Sequence, residues 1–230
     1  MNLIYFIVLF LLTSSSLINA LRWSRVAQRE HYVPGYVSKF YFRWVKLVPF
    51  NNFYFFLTLI FMILSLWNPY TAILVAILSL LLPRGLSFNY RTSKVEQTER
   101  IKRLNIVYFI LISLISVASV MLEYGYFLAL FANVFSFFVY DQALKLTKNF
   151  EKNQSQVFVD RAEDKLGTFT GPIVSITGSY SKTTTKNTLY QILSSTNDVF
   201  VTPESYNNRL GIAKSINENL RENNEIAIFE

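Results

Sequence analysis

Apolar residues crowd into the first 140 positions of the chain and thin out abruptly afterwards. Residues 52–67 read NFYFFLTLIFMILSLW, with no Asp, Glu, Lys or Arg and ten Leu, Ile or Phe residues. At about −0.3 to −0.6 kcal/mol each, such residues favour bilayer insertion by roughly 3–6 kcal/mol. The same pattern predicts five transmembrane segments in all, at 3–21, 52–67, 70–82, 106–122 and 126–140. The third is the weakest: as a helix it is about 20 Å long against a hydrocarbon core of about 30 Å, the length of a re-entrant or tilted half of a hairpin.

Charge fixes an orientation for these segments. The breaks at Asn68-Pro69 and Glu123-Tyr124-Gly125 carry no Lys or Arg, whereas the linker after the first segment carries Arg22, Arg25, Arg29, Lys39, Arg43 and Lys46, and the stretch 84–103 carries six more. Basic loops stay in the cytoplasm, so both linkers belong there, with the N-terminus and hairpin tips outside. Everything after Asp141, including Lys145, Lys148 and Lys152, is then cytoplasmic. The ending Ile18-Asn19-Ala20 resembles a signal-peptidase site, but the positive charges follow the apolar run instead of preceding it, which reads as an uncleaved anchor.

Past Asp141 the composition turns polar, and 142–170 reads as a cytoplasmic helical connector. Strands are then expected at 172–177, 198–201 and 225–229, alternating with helices at 182–193 and 210–220. Such alternation implies a parallel sheet covered on both faces. The expected fold is a membrane α-helical N-terminal region (1–141) followed by the start of an α/β phosphate-loop domain with a parallel sheet (171–230). Three strands bury little surface by themselves, and the last runs to the final residue, so the chain reads as the N-terminal part of a longer protein.

Composition narrows the chemistry further. The chain has no cysteine and one histidine, His31, which leaves no thiolate zinc site, cysteine nucleophile or histidine-centred triad. Any metal must take oxygen ligands. The net charge of +7 sits in the linkers between apolar runs, where topology accounts for it, and nucleic acid is not an expected partner. The lipid bilayer is.

One stretch carries recognisable chemistry. Residues 173–186 read IVSITGSYSKTTTK: a β-branched run, a tight turn, then Lys-Thr-Thr opening a helix. Backbone N–H groups of such a loop, together with a helix N-terminus, point at phosphates while a lysine neutralises their charge. Thr177, Gly178, Ser179, Tyr180, Ser181, Lys182, Thr183 and Thr184 are therefore the candidate nucleotide-binding residues. Lys182 is the candidate catalytic cation, reaching the β and γ phosphates of ATP, and Thr183 is a candidate Mg²⁺ ligand. The plainer alternative is a Ser/Thr-rich helix cap with an incidental lysine.

The loop resembles that of the Mur ligases, the ATP-dependent amide-forming enzymes of peptidoglycan stem-peptide synthesis, which reads like TGSNGKTTTK. Val201-Thr-Pro-Glu-Ser-Tyr-Asn-Asn-Arg-Leu-Gly211 is similar to a second element of that family, an Asn-Asn-x-x-Gly signature of its D-alanyl-D-alanine-adding branch. Glu230 falls where that branch carries a strand-terminal magnesium-binding glutamate. The resemblance covers about a quarter of the chain. It implies ATP and Mg²⁺ as cofactors, Thr183 and Glu230 as metal ligands, and Asn207 and Asn208 on the substrate side. It also implies a carbon–nitrogen ligase that works through an acyl phosphate on a peptidoglycan precursor peptide, UDP-linked or lipid-linked, with an amino acid or dipeptide as amine. The location implied is a bacterial plasma membrane, multi-pass, with the ligase domain in the cytoplasm; a fragment of this length is expected to be inactive alone.

Two departures stand against this. Ser181 occupies the family's glycine before the lysine, and Tyr180 a position usually held by a small or amide residue. A left-handed backbone at Ser181 would cost about 1–2 kcal/mol. Two other readings follow: a membrane nucleotide-binding scaffold without catalysis, and a ligase-like subunit that amidates lipid-linked peptidoglycan.

Overall fold

The computed structural model describes residues 3–86, 88, 97–122, 126–203 and 206–230. Ser93 of the second basic linker, the expected hairpin tip at 123–125, and Glu204-Ser205 of the second signature lie outside the described residues. The chain divides into two compact units, Met1–Asn149 and Phe150–Glu230.

The first unit is helical: α1 (Leu3–Arg29), α2 (Tyr36–Leu47), α3 (Asn51–Leu64), α4 (Thr71–Leu81), α5 (Glu99–Met121), α6 (Tyr126–Val134) and the opening turns of α7 (Ser136–Gly167). α1 packs against α2, α4, α5 and α6. Several polar groups inside this apolar bundle are paired across helices, where an unpaired one has no water to turn to. Asn133 Nδ2 donates to the Leu12 carbonyl at 2.8 Å and to the Ser15 and Ser16 hydroxyls at 3.0 and 3.1 Å. Arg22, on α1, donates to the Leu82 carbonyl at the end of α4, 2.7 Å away. The Asp141 carboxylate, on α7, accepts from the backbone N–H groups of Gly35, Val37 and Ser38 and from the Ser38 hydroxyl, capping α2 from another helix.

Among the described residues, α1 and α5 are each long and apolar enough to cross a membrane. Up to four spans result if each bent pair counts as one, α2 with α3 at 112° and α6 with α7 at 82°. α4 has 11 residues, about 16 Å of helix. Two features depart from the segment pattern in the sequence. The first basic linker is not merely a connection: it lengthens α1 to Arg29 and forms α2, whose Val37, Tyr41 and Val45 recur at helical spacing and are buried. The apolar stretch 126–140 is two helices, and Asn133 and Ser136, on either side of the bend, are both bonded to α1, Ser136 through Trp23 Nε1.

The second unit holds the end of α7, then β1 (Ile173–Ser175), α8 (Lys182–Leu193), β2 (Val199–Val201), α9 (Arg209–Asn219) and β3 (Ile226–Phe229). The three strands form a parallel sheet in the order β1-β3-β2, with Ile173 opposite Ala227 and Val199 opposite Ile226. Its core joins Val159 and Ala162 of α7, Phe200 of β2, Ala213 and Ile216 of α9, and Ala227 and Phe229 of β3. Gly171 enters β1 where a Cβ would collide with the Glu225 carbonyl oxygen, so no larger residue fits this approach.

Candidate functional site

The site is built where the strands end. β1 stops at Ser175, Ile176 N–H still donates to the Phe229 carbonyl at 2.8 Å, and the chain then leaves the sheet as an exposed loop from Thr177 to Ser181. α8 begins at Lys182. The reversal is made at Ser181, whose φ of 56° and ψ of 15° are left-handed. A residue with a Cβ is strained there, which is the physical reason for a glycine in sequences of this pattern. The Ser181 side chain makes no capping bond. The first-turn N–H groups of α8 have no acceptor within the helix and carry its partial positive charge.

Lys182 and Thr183 turn in different directions. Lys182 Nζ donates to the Gly178 carbonyl at 2.8 Å, folding the ammonium over the loop that precedes it. The Thr183 hydroxyl lies 2.8 Å from Oε1 and 2.9 Å from Oε2 of Glu230, to which it donates. Central placement of β3 is what makes this meeting possible: its C-terminal end emerges beside the β1 loop, where open parallel sheets place ligands. Glu230 also accepts from Lys186, whose Nζ is 3.1 Å from Oε2. Burial pushes the Glu230 carboxyl upward, but the hydrogen bonds from Thr183 and Lys186 and the charges of Lys186 and Lys182 outweigh it and hold the group below the ordinary glutamate range.

Of the residues singled out by sequence, the structure thus joins Thr183 and Glu230 directly and sets Lys182 within their electrostatic reach. Thr184 and Tyr180 are exposed, Tyr180 at 90%. Asn207 and Asn208 are exposed at the start of α9. Asn208 Oδ1 accepts from Gly211 N–H at 2.8 Å and caps that helix. A Cβ on Gly211 would come within 3.3 Å of the Tyr206 ring and 3.4 Å of Asn208 Oδ1. An Asn followed three residues later by Gly is therefore the signature of this cap.

Two residues carried no sequence assignment. Lys186 is 1% exposed, the one buried residue of α8. Its place four residues after Lys182, on the same helix face, did not by itself mark it as buried. Thr202 follows β2 on the same sheet edge as Glu230. Its hydroxyl is buried and has no partner among the described residues.

A magnesium ion fits this donor set. A hydroxyl and a carboxylate are hard oxygen donors, and Mg²⁺ is commonly held by one or two such groups together with phosphates and water. No cluster of three or more His, Cys, Asp or Glu residues able to hold a metal occurs among the described residues.

Comparison with known proteins agrees with the motif. Residues 176–230 match the Mur ligase middle domain. A stretch of 62 residues is 42% identical to a UDP-N-acetylmuramoyl-tripeptide--D-alanyl-D-alanine ligase from Synechocystis, covering 27% of this chain and 13% of that ligase. No solved structure gives a significant match. The resemblance to the Mur ligases holds over this stretch, which spans about an eighth of the relative's length.

Proposed function

We propose that the chain joins a membrane region to the opening of the ATP-binding domain of a ligase that forms an amide bond in peptidoglycan precursor synthesis. The observation that carries the reading is the meeting of Thr183 with Glu230 beside the Lys182 loop, at the strand ends, within the stretch that matches the Mur ligase middle domain.

On this reading the first-turn N–H groups of α8 and the 177–181 loop bind the phosphates of ATP. Lys182 leaves the Gly178 carbonyl and moves its ammonium to the β and γ phosphates. Thr183 and Glu230 would hold Mg²⁺. The bound ion supplies charge stabilisation for phosphoryl transfer. The acceptor carboxylate takes the γ-phosphoryl group to give an acyl phosphate and ADP; the amine then attacks the acyl carbon, phosphate leaves, and the nitrogen gives up a proton. Because little covalent work falls to the protein in such chemistry, Lys182 acts by charge and position.

The membrane region sets the place of action. The basic linkers, with Arg22, Arg25, Arg29, Lys39, Arg43 and Lys46 in the first, lie on the cytoplasmic side of a bacterial plasma membrane. Basic groups at that surface also attract the anionic head of a pyrophosphate-bearing acceptor. The acceptor is a peptide precursor, UDP-linked or lipid-linked, and the amine an amino acid or dipeptide.

A second reading rests on Ser181. Its left-handed backbone is strained with a side chain present, which favours a non-catalytic nucleotide-binding scaffold. Calorimetric titration of the full chain in detergent with Mg²⁺-ATP tests the shared premise of both readings. Binding that disappears in Lys182→Ala supports the site. Equal affinity with and without Lys182 overturns it.

A further inference from the structure

Lys186 is the largest charged side chain in the second unit to be fully buried, and its placement needs a reason. Its side chain is 1% exposed and that of Glu230 3%, with 3.1 Å between Nζ and Oε2. A charge removed from water is unfavourable unless it is paired and hydrogen-bonded. Lys186 lies three residues after Thr183 on α8, so both side chains reach Glu230 from one helix face, and the carboxylate is gripped from two points.

This grip bears on what the oxygen pair can bind. Among the described residues, an incoming divalent ion meets the Glu230 carboxylate, whose charge is already answered by Lys186, with Lys182 close enough to act on the same group. Without further negative charge, such a place repels a cation. A polyphosphate reverses the balance. We propose that Lys186 is a positioning residue that fixes Oε2 of Glu230 and makes the Thr183–Glu230 oxygen pair accept a divalent cation only together with a polyphosphate. The proposal rests on the nucleotide-site reading above and adds a regulation to it: metal and nucleotide enter as one.

The test uses Mn²⁺ as the probe, followed by electron paramagnetic resonance in titrations of the full chain in detergent, with and without a non-hydrolysable ATP analogue. The wild-type chain is expected to bind Mn²⁺ weakly alone. Lys186→Gln should bind Mn²⁺ about tenfold more tightly or better without nucleotide, since one opposing charge is gone. Lys186→Arg should stay like the wild type, and adding Glu230→Gln to Lys186→Gln should abolish the gain. A purely structural role for the lysine predicts no such gain. The proposal is overturned if folded Lys186→Gln binds nucleotide-free Mn²⁺ no better than the wild type. It is also overturned if the wild type binds Mn²⁺ equally well with and without the analogue, a comparison that needs no variant to fold. Failure of the nucleotide-site reading has its own sign: the analogue does not bind the wild-type chain at any Mn²⁺ concentration.

Discussion

The Thr183 hydroxyl stands 2.8 and 2.9 Å from the two oxygens of Glu230, tying the first turn of α8 to the residue that follows the central strand. The two are 47 positions apart in sequence. The contact brings a hydroxyl and a carboxylate together, oxygen donors of the kind a hard cation uses.

Replacing that hydroxyl separates the two functions. Thr183→Val keeps the shape and removes the donor, and a hydrogen bond to a charged group contributes about 1.5–3 kcal/mol. We expect a lowered melting temperature of the second unit and weakened Mg²⁺-ATP binding in calorimetry, with Thr183→Ser close to the wild type in both. Unchanged nucleotide affinity in a destabilised Thr183→Val would reduce Thr183 to a structural contact.

Ser181→Gly should preserve or tighten nucleotide binding. Glycine relieves a left-handed strain of about 1–2 kcal/mol while adding about 0.5–1 kcal/mol of unfolded-state entropy, so stability should be unchanged or rise by up to about 1.5 kcal/mol. Denaturant titration and calorimetry read the two effects. A clear loss of affinity would mean that the Ser181 side chain makes a specific contact with the ligand.

The Glu230 contribution to stability should depend on pH in one direction. Its folded-state carboxyl lies below the ordinary value, so it stabilises the fold above the unfolded glutamate range, near about 4.3, and that contribution fades as pH falls through the lower folded-state value. Wild type and Glu230→Gln, unfolded by urea at a series of pH values, should differ most near neutrality and converge in acid. A difference that grows toward acid would contradict the assignment.

Asn208→Ala should cost about 0.5–2 kcal/mol through loss of the α9 cap, and Asn208→Asp should recover most of it. Measuring nucleotide and precursor binding beside the melting curve shows whether the residue also faces a ligand. An affinity loss larger than the stability change accounts for would place it on the site wall.

Topology is open to labelling because the chain has no cysteine. A cysteine at Pro69 should react with an impermeant maleimide on intact cells, and one at Lys148 should react only after lysis. Reaction at Lys148 but not at Pro69 would invert the orientation drawn from the basic linkers.

The legible part of this protein was local. The order strand, loop, helix and the start of α8 at Lys182 follow from a β-branched run, a glycine turn and a lysine-led Thr run, all within a dozen residues. α2 was also written in the spacing of Val37, Tyr41 and Val45, but basic residues between them gave the stretch the look of a linker. What sequence hid depends on distant partners. Nothing near Lys186 distinguishes it from Lys182; only β3, arriving between β1 and β2, supplies the carboxylate that buries one lysine and leaves the other on the loop. The bend at Phe135 is similar, since Asn133 and Ser136 find their partners on α1, more than a hundred residues earlier. Asn208 shows the reverse case: a residue read for its ligand has a sufficient local task in the cap it makes.

The strand order has a consequence for how this unit is made. Among the described residues β1 and β2 each pair only with β3, the last of the three to be synthesised. While the ribosome is still extending the chain toward Ile226, neither earlier strand has the β3 edge to join, and the Glu230 carboxylate that pairs with Lys186 is not yet made. The apolar helices of the first unit are by then already produced. Assembly of the 177–181 loop accordingly follows synthesis of β3, whose pairing brings the loop, the start of α8 and the Glu230 carboxylate together.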